Sequence, residues 1–193
     1  MYLFFDIETT GLSKSSDILE FAAIECDDNF CIHRVINNYY LYDGEVPPGA
    51  SKVNGLTREK LEFLADSDFI SDAKNIYEVM NRPDVTVIGH NILAYDLPVI
   101  YNNLHRAGFE LSVPSNRCID TLPLARKRYD GKHDLQSTLA AVLKESDTSL
   151  TQVKQLFSCS KLLAPYIKDK KMTFHSGLFD AFISYVIYTA WNL

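Results

Sequence analysis

The stretch Phe4-Phe5-Asp6-Ile7-Glu8-Thr9-Thr10-Gly11-Leu12 sets two carboxylates, Asp6 and Glu8, inside an apolar run that starts at Tyr2. In an extended strand alternate side chains share a face. Asp6 and Glu8 therefore project together from one side, while Leu3, Phe5 and Ile7 face the other. Burying an unpaired carboxylate costs several kcal/mol, so a strand carrying two of them needs a metal ion or basic partners. The pair offers a hard divalent cation its first ligands.

At 193 residues the chain has the length of one domain, 1–193, large enough for a sheet covered on both faces. Its 47% apolar and 23% charged content is that of an ordinary globular protein. No apolar run reaches the twenty or so residues a membrane span needs, and the first strand starts too early to leave room for a signal peptide. Cys26, Cys31, Cys118 and Cys159 have neither Cys-x-x-Cys pairing nor the density of a disulfide scaffold. These features lead us to expect reduced thiols, a cytoplasmic, intracellular setting and no membrane partner.

The net charge is −6, yet it is unevenly spread. Residues 114–171 hold 11 Lys+Arg against 6 Asp+Glu, and the remainder holds 8 against 19. The clusters Arg126-Lys127-Arg128 with Lys132, and Lys168-Asp169-Lys170-Lys171, could draw a polyanion or form a solvated charged face.

Alternation predicts strands over 18–25 and 31–42, joined by a turn at Asp27-Asp28-Asn29. Pro47-Pro48-Gly49 is expected to stop the sheet, and one helical stretch is expected over 57–82, ended by Pro83. Residues 85–89 read as a fully buried strand. A helix is then expected from Pro98, placed at the first helical position, to about Ala107. A short strand over 117–120 precedes helices at 121–127, 134–144, 150–166 and 178–191. The order predicts an α/β fold with a mixed sheet and helices on both faces.

Two further acids stand beside features that would aim them at a site. Asp96 follows Gly89-His90-Asn91-Ile92-Leu93-Ala94-Tyr95, just past a buried strand and at the entry to a helix, the usual place for α/β sites. Asp180 opens the apolar last helix, and His175 precedes it by five positions. Five positions rotate by about 140° on an ideal helix, so the two would not share a helical face. His175 is better placed on a flexible approach, where Gly177 permits movement.

Asp6 and Glu8 in Phe-Asp-Ile-Glu-Thr-Thr-Gly-Leu, Asp96 after Gly-His-Asn, and His175 with Asp180 five later resemble the three exonuclease motifs of the DnaQ-like DEDDh 3′-5′ exonucleases. The resemblance covers nearly the whole chain. Val53-Asn54-Gly55-Leu56-Thr57 and Ile119-Asp120-Thr121-Leu122-Pro123-Leu124-Ala125-Arg126 look like that family's linking segments, in the same order. The tyrosine branch of the superfamily carries Tyr four residues before the last Asp; here that position is Ser176. Two differences from the family pattern stand out: Asn91 to Asp96 is one residue longer, and Asn54 stands where some members carry His.

The resemblance implies a ribonuclease-H-like fold with a five-stranded mixed sheet and two divalent ions, Mg²⁺ or Mn²⁺. Asp6, Glu8 and Asp180 would hold the ion that binds the attacking water, with Asp6 bridging to the second ion and Asp96 acting there. His175 would take the water's proton. Two ions about 3.5–4 Å apart clamp both oxygens of an in-line displacement. The product would be a nucleoside 5′-monophosphate. The resemblance also suggests backbone contact from Thr9 and Gly11 with the terminal nucleotide, and a Leu12 wedge against its base. Asn54, Asn91 and Tyr95 are further candidate substrate contacts. The alternatives are an ordinary turn with Gly11 at a special dihedral, a turn cap at Asn91 and a core aromatic at Tyr95.

Single-stranded or 3′-end nucleic acid, DNA or RNA, is the expected partner, with a polymerase or other replication or repair protein as a second. The short span favours a free-standing exonuclease or a separate proofreading subunit. Two other readings compete with this one. An aspartate-nucleophile phosphatase needs Asp-x-Asp-Gly-Thr, and here Glu8 and the displaced Gly11 break that pattern. A catalytically weak nucleic-acid-binding or accessory protein of the same fold would be favoured by a lost metal ligand, and none is missing.

Overall fold

The computed structural model describes residues 1–166 and 173–192. The cluster Lys168-Asp169-Lys170-Lys171 lies outside the described residues. Among them, one sheet has six strands in the order β4-β3-β2-β1-β5-β6. Strands β1 (Tyr2–Thr9), β2 (Ile18–Cys26) and β3 (Ile32–Leu41) form an antiparallel meander. Strands β5 (Thr86–Gly89) and β6 (Cys118–Asp120) add to β1 in parallel, and β4 (Ser67–Asp68) pairs in parallel with the end of β3.

The expected five strands become six because of β4, and the helix expected over 57–82 divides around it. Helix α1 (Pro48–Asn54) precedes α2 (Arg58–Leu64), and α3 (Phe69–Asn81) follows β4. Ala65 is extended and ends α2, and the Asp68 carboxylate accepts the Ser71 N–H to cap α3. Pro47-Pro48-Gly49 does more than stop the sheet: Pro48 opens α1, where a missing N–H costs nothing. The same argument corrects α4 (Asp96–Arg106), which begins two residues before Pro98 and tolerates it within the first turn. Helices α5 (Thr121–Arg128) and α6 (Leu135–Glu145) are capped by Asp120 and Asp134. The helix expected over 150–166 ends earlier, as α7 (Leu150–Cys159), with a 3₁₀ turn at Ala164–Tyr166. Helix α8 (Gly177–Asn192) closes the described chain.

Two apolar layers enclose the sheet. Leu3, Phe5 and Ile7 pack with Phe21 and Ala23 against Ile76 and Met80 of α3 and Ile100 and Leu104 of α4. Phe4 packs with Ala22, Ile24 and Ile88 against α6, α7 and α8, through Leu139, Phe157, Phe179 and Ile183. Each large apolar side chain so buried contributes roughly 1.5–3 kcal/mol. The alternation of β1 is thus confirmed, and Asp6 and Glu8 continue the Phe4 row toward α8. A register shift between Glu8 and Thr9 interrupts the ladder with β2 just past the second carboxylate, and Thr9 then pairs with Ile18 as the last residue of the strand.

Candidate active site and metal centre

Three elements deliver the four acids. Asp6 and Glu8 come from β1, Asp96 from the first turn of α4 and Asp180 from the first turn of α8. One ligand oxygen each from Asp6, Glu8 and Asp180 lies within 4.8 Å of the others. Asp96 is buried at the helix entry, where the Ile7 N–H and its own N–H bond its carboxylate. Among its neighbours' charges, that of Asp96 acts most strongly on Asp6. Asp96 is thus a neighbour of Asp6 that stands outside the group of three.

Burial, then repulsion from Asp96, Asp180, Glu8 and Glu20, holds the Asp6 carboxyl well above its ordinary range. Burial, then Glu20, pushes Glu8 up to about 9. Burial raises Asp96 and Asp180 to about 7, with smaller contributions from Asp120 and Glu20 respectively. No Lys or Arg among the described residues pairs with any of these four. The Asp180 Oδ1 atom is buried and accepts no hydrogen bond. A converging, uncompensated set of hard oxygen donors with an unpartnered buried oxygen fits a divalent cation.

The other oxygen of Asp180 is spoken for. Oδ2 accepts the His175 N–H at 2.8 Å. His175 has φ 66° and an exposed side chain, and it stands in the turn before α8 rather than within it. The expected separation of His175 from the helical face of Asp180 is therefore observed. Gly177 is another matter, because its role is space rather than movement. It is buried, and a Cβ there would meet Glu20 Cδ at 3.1 Å and the Ala22 Cβ at 3.3 Å.

Glu20 is the residue that sequence reasoning missed. It sits on β2 directly opposite Glu8, is 1% exposed, and its Oε2 accepts the Gly177 N–H at 3.2 Å. Burial raises it to about 7. Its signal was present: an acid in the middle of an apolar strand, as in β1. Asp120 was passed over too. Its two oxygens accept the N–H groups of Asn91, Leu93 and Leu122, at 2.8, 3.1 and 2.9 Å, and so fasten the loop that leads to Asp96.

The candidate substrate residues divide between the turn after β1 and two separate clefts. Thr9 Oγ1 donates to the Gly11 carbonyl at 2.7 Å and lies 2.6 Å from the Tyr95 hydroxyl, which also donates to that carbonyl. The Tyr95 ring packs against the α4 layer, so its hydroxyl serves the turn. Gly11 does not adopt a positive φ, and a Cβ there would meet Ser16 Oγ at an ordinary 3.5 Å. The special dihedral expected of it is not found. Leu12, held at the tip of this turn, is 94% exposed. Asn54 ties α1 to β1: its Nδ2 donates to the Thr9 carbonyl at 3.2 Å, and its Oδ1 accepts the Leu56 N–H at 3.0 Å. Asn91 has φ 67° and lines a cleft with His90, Leu122, Arg126 and His133. A second cleft, of about 280 Å³, is bordered by Glu20, Asn54, Lys60, Phe174, His175 and Phe179. In the basic cluster of α5, Arg128 pairs with Glu145 at 3.5 Å and lies over the Tyr129 and Trp191 rings, while Arg126 and Lys127 are exposed.

The fold and the acidic site define a nuclease-like α/β domain, and similarity to known proteins places it more closely. The family model for exonucleases matches residues 3–188, and the chain belongs to that family. It is 28% identical over 189 residues to the PolC-type DNA polymerase III of Bacillus cereus, covering 93% of this chain and 12% of that protein. Against the 3′-5′ exonuclease DinG of Bacillus subtilis it is 26% identical over 132 residues, 67% of this chain and 13% of that one. The chain thus spans about an eighth of these relatives. Its fold matches that of E. coli exonuclease I in a zinc-bound complex with single-stranded DNA, with a TM-score of 0.69, 18% identity, 98% of this chain covered and 39% of the other. The architecture is therefore the ribonuclease-H-like one, with β4 as the sixth strand. No helix among the described residues is long and apolar enough to cross a membrane.

Proposed function

We propose that this chain is a metal-dependent 3′-5′ exonuclease that hydrolyses the terminal phosphodiester of DNA, or RNA, to a nucleoside 5′-monophosphate. The observation that carries the reading is the convergence of Asp6, Glu8 and Asp180 within 4.8 Å, with Asp180 Oδ1 unpartnered and His175 tethered to the same carboxylate. Asp6, Glu8 and Asp180 would hold one divalent ion, and Asp6 with Asp96 a second, Mg²⁺ or Mn²⁺. Ions bound there would supply charge stabilisation at the phosphorus and ease ionisation of a bound water.

The protein's own residues do the rest. The exposed imidazole of His175 accepts the proton of the attacking water, held near the carboxylates by its own N–H bond to Asp180. The turn at Thr9-Thr10-Gly11-Leu12 offers backbone groups and an apolar tip to the terminal nucleotide. Asn91 and Arg126, on one cleft, offer a hydrogen bond and a cation to a neighbouring phosphate. The likeness to a PolC-type polymerase supports work beside a polymerase or another replication or repair protein.

The test is digestion of 5′-labelled single-stranded, 3′-recessed and RNA substrates with Mg²⁺ or Mn²⁺. Shortening from the 3′ end is expected, abolished by EDTA and reduced at least about 10³-fold by Asp6→Ala. Retained binding without cleavage by the wild-type chain would instead make this an accessory binding protein of the same fold.

A further inference from the structure

Five carboxylates, four of them buried and Asp6 half-buried, face α8 or the start of α4, and the metal centre as proposed uses four. Glu20 is the fifth. Its ligand oxygens do not fall within the tight group that Asp6, Glu8 and Asp180 form. Nor does it have a basic partner of the kind its strand neighbour enjoys: Glu25 receives Arg82 at 2.6 Å. A carboxylate that is 1% exposed and unpaired costs several kcal/mol, so the site must gain something from it.

What Glu20 touches is the segment that carries the base. Its Oε2 accepts the N–H of Gly177, the first residue of α8, while Asp180 Oδ2 accepts the N–H of His175 two residues earlier. Asp180 N–H in turn donates to the Ser176 carbonyl at 2.9 Å. The turn is therefore pinned at both ends by buried carboxylates on different elements, β2 and α8. The contact is also sterically matched. Gly177 sits so close to Glu20 Cδ and Ala22 Cβ that a side chain there would force the Glu20 carboxyl or the helix start to give by a few tenths of an ångström. His175, at φ 66°, is in a conformation uncommon for residues other than glycine, though His enters it more readily than most.

We propose that Glu20 is a positioning residue: through the Gly177 N–H it fixes the start of α8 against β2 and thereby holds the His175 imidazole over the metal-binding carboxylates. This rests on the exonuclease reading above for its effect on rate, though not for its effect on the turn. What the turn needs from Glu20 is a buried acceptor oxygen of this length; the negative charge is incidental to it. That separates the role from metal ligation, where the charge is the point.

The experiment compares Glu20→Ala, Glu20→Gln and Gly177→Ala in the full chain. It measures kcat and KM on single-stranded DNA, the Mn²⁺ concentration giving half-maximal rate, and amide hydrogen exchange at residues 175–177. Glu20→Ala is expected to lower kcat at least about tenfold with KM within about twofold, and to speed exchange at Gly177. Glu20→Gln, whose amide oxygen can still accept the Gly177 N–H, should recover most of the kcat and the slow exchange. Gly177→Ala, which removes no carboxylate, should reproduce the loss of kcat with the Mn²⁺ midpoint unchanged. Full kcat in Glu20→Ala overturns the proposal. So does a Glu20→Gln variant as slow as Glu20→Ala with a raised Mn²⁺ midpoint, which would make Glu20 a ligand. If Glu20→Ala does not fold, the other two variants decide. If the wild-type chain cleaves nothing, the exonuclease reading has failed, and the exchange data alone still show whether Glu20 holds the turn.

Discussion

The two faces of β1 and β2 are built from adjacent residues and obey opposite rules. On the face toward α3 and α4, Leu3, Phe5, Ile7, Phe21 and Ala23 form a sealed apolar layer. On the face toward α8, Phe4, Ala22 and Ile24 begin the same way, but the row then runs into Asp6, Glu8 and Glu20. One face stabilises the fold and the other draws on that stability to keep like charges together in a poorly solvated cleft. A sheet can hold such a cluster because its reverse side is packed independently of it.

The difference can be broken from either side. The largest stability change is expected on the apolar face. Phe21→Ala removes a fully buried ring stacked on Phe5 at 6.3 Å and should cost roughly 3–5 kcal/mol in a urea or thermal titration. A change below about 1 kcal/mol would mean that this layer is not the one supporting the sheet. On the charged face the sign should reverse. Glu8→Gln in EDTA at pH 7 should stabilise the chain by about 1–2 kcal/mol while activity with metal collapses, because burial and then Glu20 and Asp180 oblige Glu8 to take up a proton on folding and a Gln needs none. Destabilisation in EDTA would show that the acids already have compensating partners.

The pH dependence sharpens the same point. In the folded chain Glu8 is raised to about 9, and Asp96, Asp180 and Glu20 to about 7. These groups therefore keep protons in the folded state that the unfolded chain has released above its ordinary carboxylate range. The unfolded state then binds fewer protons, so metal-free stability should fall as pH rises from about 5 through 9, by up to about 1.4 kcal/mol per pH unit for each net proton. Saturating Mg²⁺ or Mn²⁺, which favours the ionised acids, should flatten that slope. Scanning calorimetry at pH 5, 7 and 9, with EDTA and with metal, reads it; a metal-free Tm that climbs with pH would refute it. The smallest effect on activity is expected at the edge of the site. Asp120→Ala removes the acceptor for three backbone N–H groups and should cost about 1–3 kcal/mol, with a loss of activity through the looser seat of Asp96. Unchanged activity at full folding would show that Asp96 is held by α4 alone.

Much of this was legible in the chain. Asp6 and Glu8 announce themselves because two acids interrupt an apolar run whose alternation fixes their common face. His175 and Asp180 stand out through the resemblance of their five-residue spacing to a known motif, and the same spacing places His175 outside the helix. Glu20 and Asp120 were harder, each for its own reason. One acid in an alternating strand looks like its solvent side, as Glu25 does in the same strand; only the burial of all of β2 shows otherwise. Asp120 looks like a helix cap, which it is, and its further bonds to the Asn91 loop depend on β5 and β6 lying side by side. The division of residues 57–82 was hidden because β4 is two residues long and owes its existence to the end of β3. Helix α4 began before Pro98 because a proline inside the first turn forfeits no hydrogen bond.

Asp180 divides its two oxygens between different duties, one turned to the site with no partner and one bonded to the His175 amide. A single carboxylate thus belongs to both the centre and the main chain. Whatever changes the charge on Asp180 must alter the electron density around one peptide proton. The amide resonance of His175 is in that sense a gauge wired into the centre, able to report cation occupancy in a sample that has never met a substrate.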